Sequence, residues 1–209
     1  MSCLHFFKAP RTQSEERQDY EKYLQKNIVS NFNDKRRFYN RGHLTPNDAF
    51  DIANERDLTF VNTNIAPQWV MFNGGNWNVV ENAVKTYSNK YQRKVYVVTG
   101  TGGEIMKLNN RVTVPAFFWK AVCDPEKRES IVFVAKNPSG KEGTERQGGC
   151  PIKDIRKQMT PVNGIIKCSS LDDLKRRKEA KYFKLPSFGE ACQPSKKGTF
   201  LDQFLSDFN

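Results

Sequence analysis

Only two histidines occur in the 209 residues, so a zinc centre built from several imidazoles is excluded. The five cysteines do not rebuild one, because no two of them are spaced as CxxC. Apolar runs stay as short as IVFVA (131–135), far below the roughly 20 residues a helix needs to cross a bilayer. The GxSxG nucleophile elbow, the P-loop and the GxGxxG dinucleotide fingerprint are all missing. The glycine-rich stretch TGTGGE (99–104) has no basic residue or helix after it to cradle phosphate, and it reads as a turn.

What the chain has is positive charge, +11 in formal terms. Charge of this size speaks of partners, and the natural one is a polyanion: nucleic acid, an acidic glycan or an anionic membrane surface. A hydrophobic fraction of 37% with 12% aromatics supports a globular core. The length suits one domain spanning 1–209. Cys3, Cys123, Cys150, Cys168 and Cys192 are scattered as in a disulfide-bonded secreted protein, with one left over. Counting alone leaves their connectivity open. The opening MSCLHFFKAPRTQ lacks the long apolar core of a signal peptide, so either the protein is intracellular or the true N-terminus lies upstream.

Periodicity gives a coarse order of elements. SEERQDYEKYLQKNIVS (14–30) reads as a helix capped by Ser14, and NFNDKRRFYNR (31–41) is basic and aromatic. DLTFVNTNIAPQ (57–68) reads as a strand that stops at Pro67. After a turn at NGG (73–75), Trp77, Val80, Val84, Tyr87 and Tyr91 mark one face of a helix capped by Asn76. KVYVVTG (94–100) reads as a buried strand, and residues 113–124 and 129–137 as two strands joined around PEKR. An exposed loop (138–153) and a capped helix with a basic outer face (169–183) follow. In the tail (184–209), Phe200, Leu201, Phe204, Leu205 and Phe208 share a helical face suited to docking on the body. The sum is an α+β domain around a largely antiparallel sheet flanked by helices.

His43, in RGHLTPNDAF (41–50), is the histidine with chemical surroundings; an isolated histidine is more often a packed, hydrogen-bonded one. Downstream, TNIAPQWVMFNGGNWNVVENAVK (63–85) is dense in amides, with Asn64, Gln68, Asn73, Asn76 and Asn78, and carries one acid, Glu81. Amide oxygens and a carboxylate are hard ligands suited to Mg²⁺, which keeps several waters and takes further oxygens from a phosphate. A base, the cation Arg41, hard ligands and a basic surface together suit metal-assisted phosphodiester hydrolysis. Each residue also has a plainer reading. Glu81 would pair with Lys85 one helical turn on, Asn73 would be a turn residue, and Trp69, Trp77 and Trp119 would be core. The basic run 175–178 is either a solvated helix face or a phosphate track.

RGHLTP, TNIAPQ and FNGGNW with Glu81, in this order, resemble the DNA/RNA non-specific endonucleases, whose active-site fold is the ββα-metal arrangement. RGHLTP and FNGGNW are most similar to the secreted arthropod branch. The resemblance covers most of residues 38–137. It implies that His43 is the general base, Asn73 the direct ligand of Mg²⁺ (with Mn²⁺ as substitute), and Glu81 the acid that holds the metal's water shell. It also implies that Arg41 lies near the phosphate, that Asn64 arranges the site, and that products carry 5′-phosphates. Lys85, Gln68, Arg36 and Arg37 complete the set as substrate-binding residues, and the partner is the backbone of DNA and/or RNA, with no membrane. Two residues depart from the family pattern: Asn40 replaces a usual aspartate and Lys85 a usual arginine, losing the bidentate fork. The 42 residues before His43 are fewer than usual, which predicts missing N-terminal strands. These departures make a weakened or inactive nucleic-acid-binding member the alternative; an extracellular location is expected of the family branch.

Overall fold

The computed structural model describes residues 39–108, 110–137, 150 and 163–206. The helix expected over 14–30, Arg36, Arg37, Cys3 and His5 lie outside the described residues, as does the 138–153 loop apart from Cys150. At the centre are β6 (Phe117–Asp124) and β7 (Glu129–Lys136), paired antiparallel from Phe117↔Lys136 to Asp124↔Glu129. Both are apolar on two faces, the pattern of strands covered from both sides. β3 (Tyr96–Gly102) flanks β6, and β8 (Ile166–Ser169) and β9 (Gln193–Lys197) flank β7. A ribbon of β1 (Tyr39–His43) and β2 (Ile65–Trp69) and a smaller pair, β4 (Met106–Leu108) and β5 (Val112–Val114), stand off the main sheet.

Strand alternation divides the core. On one face Phe118, Val122, Ile131, Phe133 and Ala135 join the cluster containing Trp69, Trp77 and Tyr87. On the other, Trp119, Ala121, Val132 and Val134 meet Leu171 and Leu174. The first face carries the helices α2 (Val70–Phe72) and α3 (Asn78–Tyr91), and α5 (Asp202–Ser206) beyond them. Phe200 and Phe204 seat the last of these, 5.1 and 5.6 Å from the Tyr87 ring. The fold is thus α+β with mainly antiparallel sheets, as expected, and all three tryptophans are core.

Several boundaries differ from the sequence reading. Residues 57–58 end a short helix, α1 (Ala53–Leu58), and the strand starts at Ile65 and runs through Pro67. A two-stranded ribbon has free edges, where proline's missing N–H costs no ladder bond. NGG is not a turn: Asn73–Trp77 forms a π-helical segment joining α2 to α3, with Gly75 leaving helical geometry. Asn76 is therefore buried inside the helical run instead of capping it, and its Nδ2 donates to the Gly164 carbonyl at 2.6 Å. β3 is a partly exposed edge strand that continues past Gly100 into TGTGGE, so that stretch is mostly strand. Gly100 is needed there because a Cβ would lie 2.5 Å from the Trp119 ring. Residues 169–183 break into α4 (Leu171–Lys175), capped by Ser170 Oγ, and a 3₁₀ segment, Lys178–Tyr182. Residues Cys123–Cys192 and Cys150–Cys168 form disulfides, answering the connectivity question for four of the five cysteines.

Two polar knots fix the layers. Asp124, fully buried, accepts from the Tyr87 hydroxyl and from Arg93 Nη1 at 2.9 Å. Burial, then the bond to Asp124, pushes the Tyr87 hydroxyl up to about 12. Asn137 joins the β1–β2 ribbon to the sheet: its Oδ1 accepts from Trp69 N at 2.9 Å. Its Nδ2 donates to the carbonyls of Pro67 and Pro115, both at 3.0 Å. We expect Asn137→Leu to strand three buried backbone groups and lower unfolding stability by about 3 kcal/mol in a urea titration. A loss below about 1 kcal/mol would show that the ribbon is held by other contacts.

Candidate active site

β1 supplies four of the site's residues in order, Asn40, Arg41, Gly42 and His43. Alternation sends Arg41 and His43 to one face, where both meet Phe60: the His43 ring is edge-on at 4.6 Å and the Arg41 guanidinium carbon is 5.7 Å from the Phe60 centroid. His43 Nε2 is buried with no hydrogen-bond partner among the described residues. Burial, then the Arg41 charge, hold the His43 pKa below the ordinary imidazole value, so the ring is neutral near pH 7.

On the other face, Gly42 lies directly over Gln68. A Cβ at residue 42 would stand 2.2 Å from Gln68 Oε1, so only glycine lets the two strands close here. Gln68 is fully buried, and neither end of its amide has a partner among the described residues. The structure therefore puts Gln68 beneath the ribbon.

Asn64 secures the loop that follows His43. Its Oδ1 accepts from Thr45 N at 2.9 Å, and its Nδ2 donates to the carbonyls of Thr45 and Thr59 at 3.0 and 2.9 Å. Leu44 N also donates to the Asn64 carbonyl at 2.8 Å. With both ends of its amide engaged, Asn64 is a positioning residue. Asn73, in the π segment, donates from Nδ2 to Asn40 Oδ1 at 3.1 Å. Asn40 thus supplies the acceptor that an aspartate would, and the bond leaves the Asn73 amide oxygen unused by Asn40.

Glu81 does not form the expected pair with Lys85. Lys85 reaches Asp48 at 3.1 Å, an exposed pair of little energetic weight. Glu81 instead lies 3.4 Å from Lys120 Nζ, on β6, with the ammonium 5.8 Å from the Trp77 ring. Lys120 is 2% exposed and the Glu81 side chain 15%. Burial raises the Glu81 pKa and Lys120 opposes the rise; burial likewise lowers the Lys120 pKa against the pull of Glu81. Lys120 and Asn137 escaped the sequence reading. The available signal was a lone lysine in the apolar run FFWKAVCD.

His43, Asn73 and Glu81 are joined by no direct hydrogen bond or ion pair among the described residues. Nor do three His, Cys, Asp or Glu side chains cluster there as a metal cage. A divalent ion would have to rely on amide oxygen, water and substrate, the coordination that Mg²⁺ favours.

Removing the Lys120 charge tests the pair. Lys120→Met should cost about 3 kcal/mol at neutral pH, because it leaves a buried carboxylate uncompensated. A glutamate with a raised folded pKa loses stability as pH rises through that pKa, so the deficit should shrink toward about pH 4, where Glu81 is protonated. A deficit independent of pH would show that Lys120 acts through packing and not through Glu81.

Residues 3–174 match the family model described as DNA/RNA non-specific endonuclease. The chain is 41% identical over 112 residues to a salivary endonuclease of Lutzomyia longipalpis, covering 48% of this chain and 27% of that one. It is 25% identical over 163 residues to a salivary endonuclease of Culex quinquefasciatus, covering 69% and 45%. A nuclease of Nostoc sp. is 33% identical over 108 residues, covering 50% and 35%. The chain spans less than half the length of each of these relatives. The mixed α+β architecture with antiparallel sheets is that expected of the ββα-metal nuclease fold, and the chain belongs to the DNA/RNA non-specific endonuclease family.

Proposed function

We propose that the protein is a divalent-metal-dependent endonuclease that hydrolyses phosphodiester bonds in DNA and/or RNA without regard to the sugar. The observation that carries this reading is a partly enclosed histidine on the strand whose Asn40 also holds Asn73. With Nε2 enclosed, Nδ1 is the His43 nitrogen that water can reach. In this reading, Nδ1 accepts a proton as the water oxygen attacks phosphorus. The bond from phosphorus to the 3′ oxygen breaks, the leaving oxygen takes a proton from solvent, and the product keeps a 5′-phosphate.

Asn73 would hold Mg²⁺, with Mn²⁺ as a substitute, and Glu81 would order its waters; the bound ion supplies charge neutralisation at the phosphate. Arg41 faces the same side as His43 and is placed to meet a phosphate oxygen. Contacts of this kind read the backbone and not the bases, which suits non-specific cutting. Lys85, Arg36 and Arg37 are proposed backbone contacts. The +11 charge supports a polyanionic partner, and the two disulfides, together with relatives named salivary, support an extracellular setting. Among the described residues no helix is long and apolar enough to cross a membrane. The bond from Asn73 to Asn40 supports the active reading over the inactive alternative, since Asn40 still supplies an acceptor there.

Digestion of plasmid DNA and of RNA with Mg²⁺, and again with EDTA, tests the reading. His43→Ala should lower the rate by roughly 10²–10⁴-fold while binding persists. Wild-type turnover by that variant would remove His43 as the base. The acid limb of kcat/KM should lie below the ordinary imidazole pKa, since the base works only when unprotonated and its folded pKa is lowered. Arg41→Met should move that limb upward but not fully back, because burial is the larger cause. A limb that stays in place or moves down would exclude the Arg41 effect.

A further inference from the structure

The sheet face opposite the ribbon carries a second concentration of positive charge. Leu171, Leu174, Phe183, Leu185 and Phe188 anchor the 170–188 segment on Trp119, Ala121, Val132 and Val134. Above these anchors, Lys175, Arg177, Lys178, Lys181 and Lys184 line a cleft of about 610 Å³. Most of the nearby acid is already used: Asp172 pairs with Lys175 at 3.6 Å and Asp173 pairs with Arg176. Arg177 also feels the Asp173 charge, whereas Lys178, Lys181 and Lys184 have no carboxylate partner among the described residues, and Glu179 is the one acid within 175–185.

Local geometry aligns these charges. In the 3₁₀ segment Lys178–Tyr182, residues three apart eclipse one another, so Lys178 and Lys181 share a side; Lys184 follows on extended backbone and lines the same cleft. Next to them stands Tyr182, 46% exposed. Its ring stacks on Phe117 at 6.0 Å and 23°, with Lys181 Nζ 4.9 Å from its centroid. A row of unpaired cations beside a backed, exposed aromatic is the composition of a nucleic-acid track: charge for phosphates and a platform for a base.

The cleft also stands near the catalytic ribbon. Tyr182 lies against Gly102 and Phe117, at the end of the sheet where Phe117 pairs with Lys136. The next residue, Asn137, holds the β1–β2 ribbon. A polymer rounding that end of the sheet meets the ribbon on one face and the cleft on the other.

We propose that this cleft is a second, non-catalytic nucleic-acid-binding surface, with Tyr182 as a stacking post, that retains the polymer being cut at the ribbon; the choice of partner rests on the endonuclease reading. The cleft adds affinity only for substrates long enough to reach both places.

The test uses the full chain carrying His43→Ala, so that binding is read without cleavage. Labelled duplexes of about 40 and about 8 base pairs are titrated over a range of NaCl, with and without Lys181→Gln/Lys184→Gln. Both lysines are exposed, and an unchanged thermal midpoint checks that the fold is intact. The expected result is about a tenfold loss of affinity for the long duplex. Its salt slope should fall by about two, one for each lost phosphate contact, with the short duplex unaffected. Tyr182→Ala should weaken binding of a long single strand with little change in slope. Unchanged long-duplex binding, or an equal loss on both lengths, would overturn the proposal. So would a variant that loses a heparin oligosaccharide while keeping DNA, which would make the cleft a glycan site. If length-dependent binding responds to the variants but the His43 chain cuts nothing, the endonuclease reading fails and the cleft stands.

Discussion

The buried amide of Asn137 is the constraint on which the site's geometry depends. Among the described residues β1 and β2 pair as a two-stranded ribbon, and a ribbon of two strands is marginal in water. Asn137 continues the order of β7 into it by engaging Trp69 and Pro67 on β2 and Pro115 before β6. Each of these backbone groups is buried, so the amide supplies partners that water cannot. Position along the ribbon then passes by register, from Trp69 opposite Tyr39 to Ile65 opposite His43. Gly42 permits the close approach over Gln68 that this register requires.

Burial also sets the protonation states on which the chemistry turns. Burial, which lowers the His43 pKa, raises that of Glu81, and Lys120 beside it opposes the rise without cancelling it. One carboxylate and one ammonium are held in the interior at a desolvation cost that neither could meet alone. The pair fixes Glu81 to the central strand β6, so the acid of α3 is referenced to the sheet and His43 to the ribbon. A hard cation with most of its waters is the kind of group that such separated residues can share.

Much of this was legible in the sequence. The apolar runs at 117–124 and 129–136 announced the central strands, and the 3,4 spacing from Trp77 to Tyr91 announced α3. Motif order singled out His43, Asn73 and Glu81 as candidates. What escaped notice depended on long-range partners. Lys120 reads as an intruder in a strand until Glu81, 39 residues away in sequence, is seen beside it. Asn137 reads as a strand end until its contacts 68 and 70 residues back are known. The helical nature of NGG was hidden because a π segment is stabilised by packing, which local propensity does not record. The exposed β3 looked buried because an edge strand can keep the composition of a central one.

The central claim is that Asn73, steered by Asn40, holds the ion that works with His43. The most direct measurement is anomalous diffraction from crystals of the His43→Ala chain grown with Mn²⁺ and a short oligonucleotide. The account predicts one manganese peak about 2 Å from Asn73 Oδ1, with ordered waters between the ion and Glu81 and a phosphate oxygen in its shell. A manganese bound away from Asn73, or coordinated directly by Glu81 with Lys120 displaced, would contradict it.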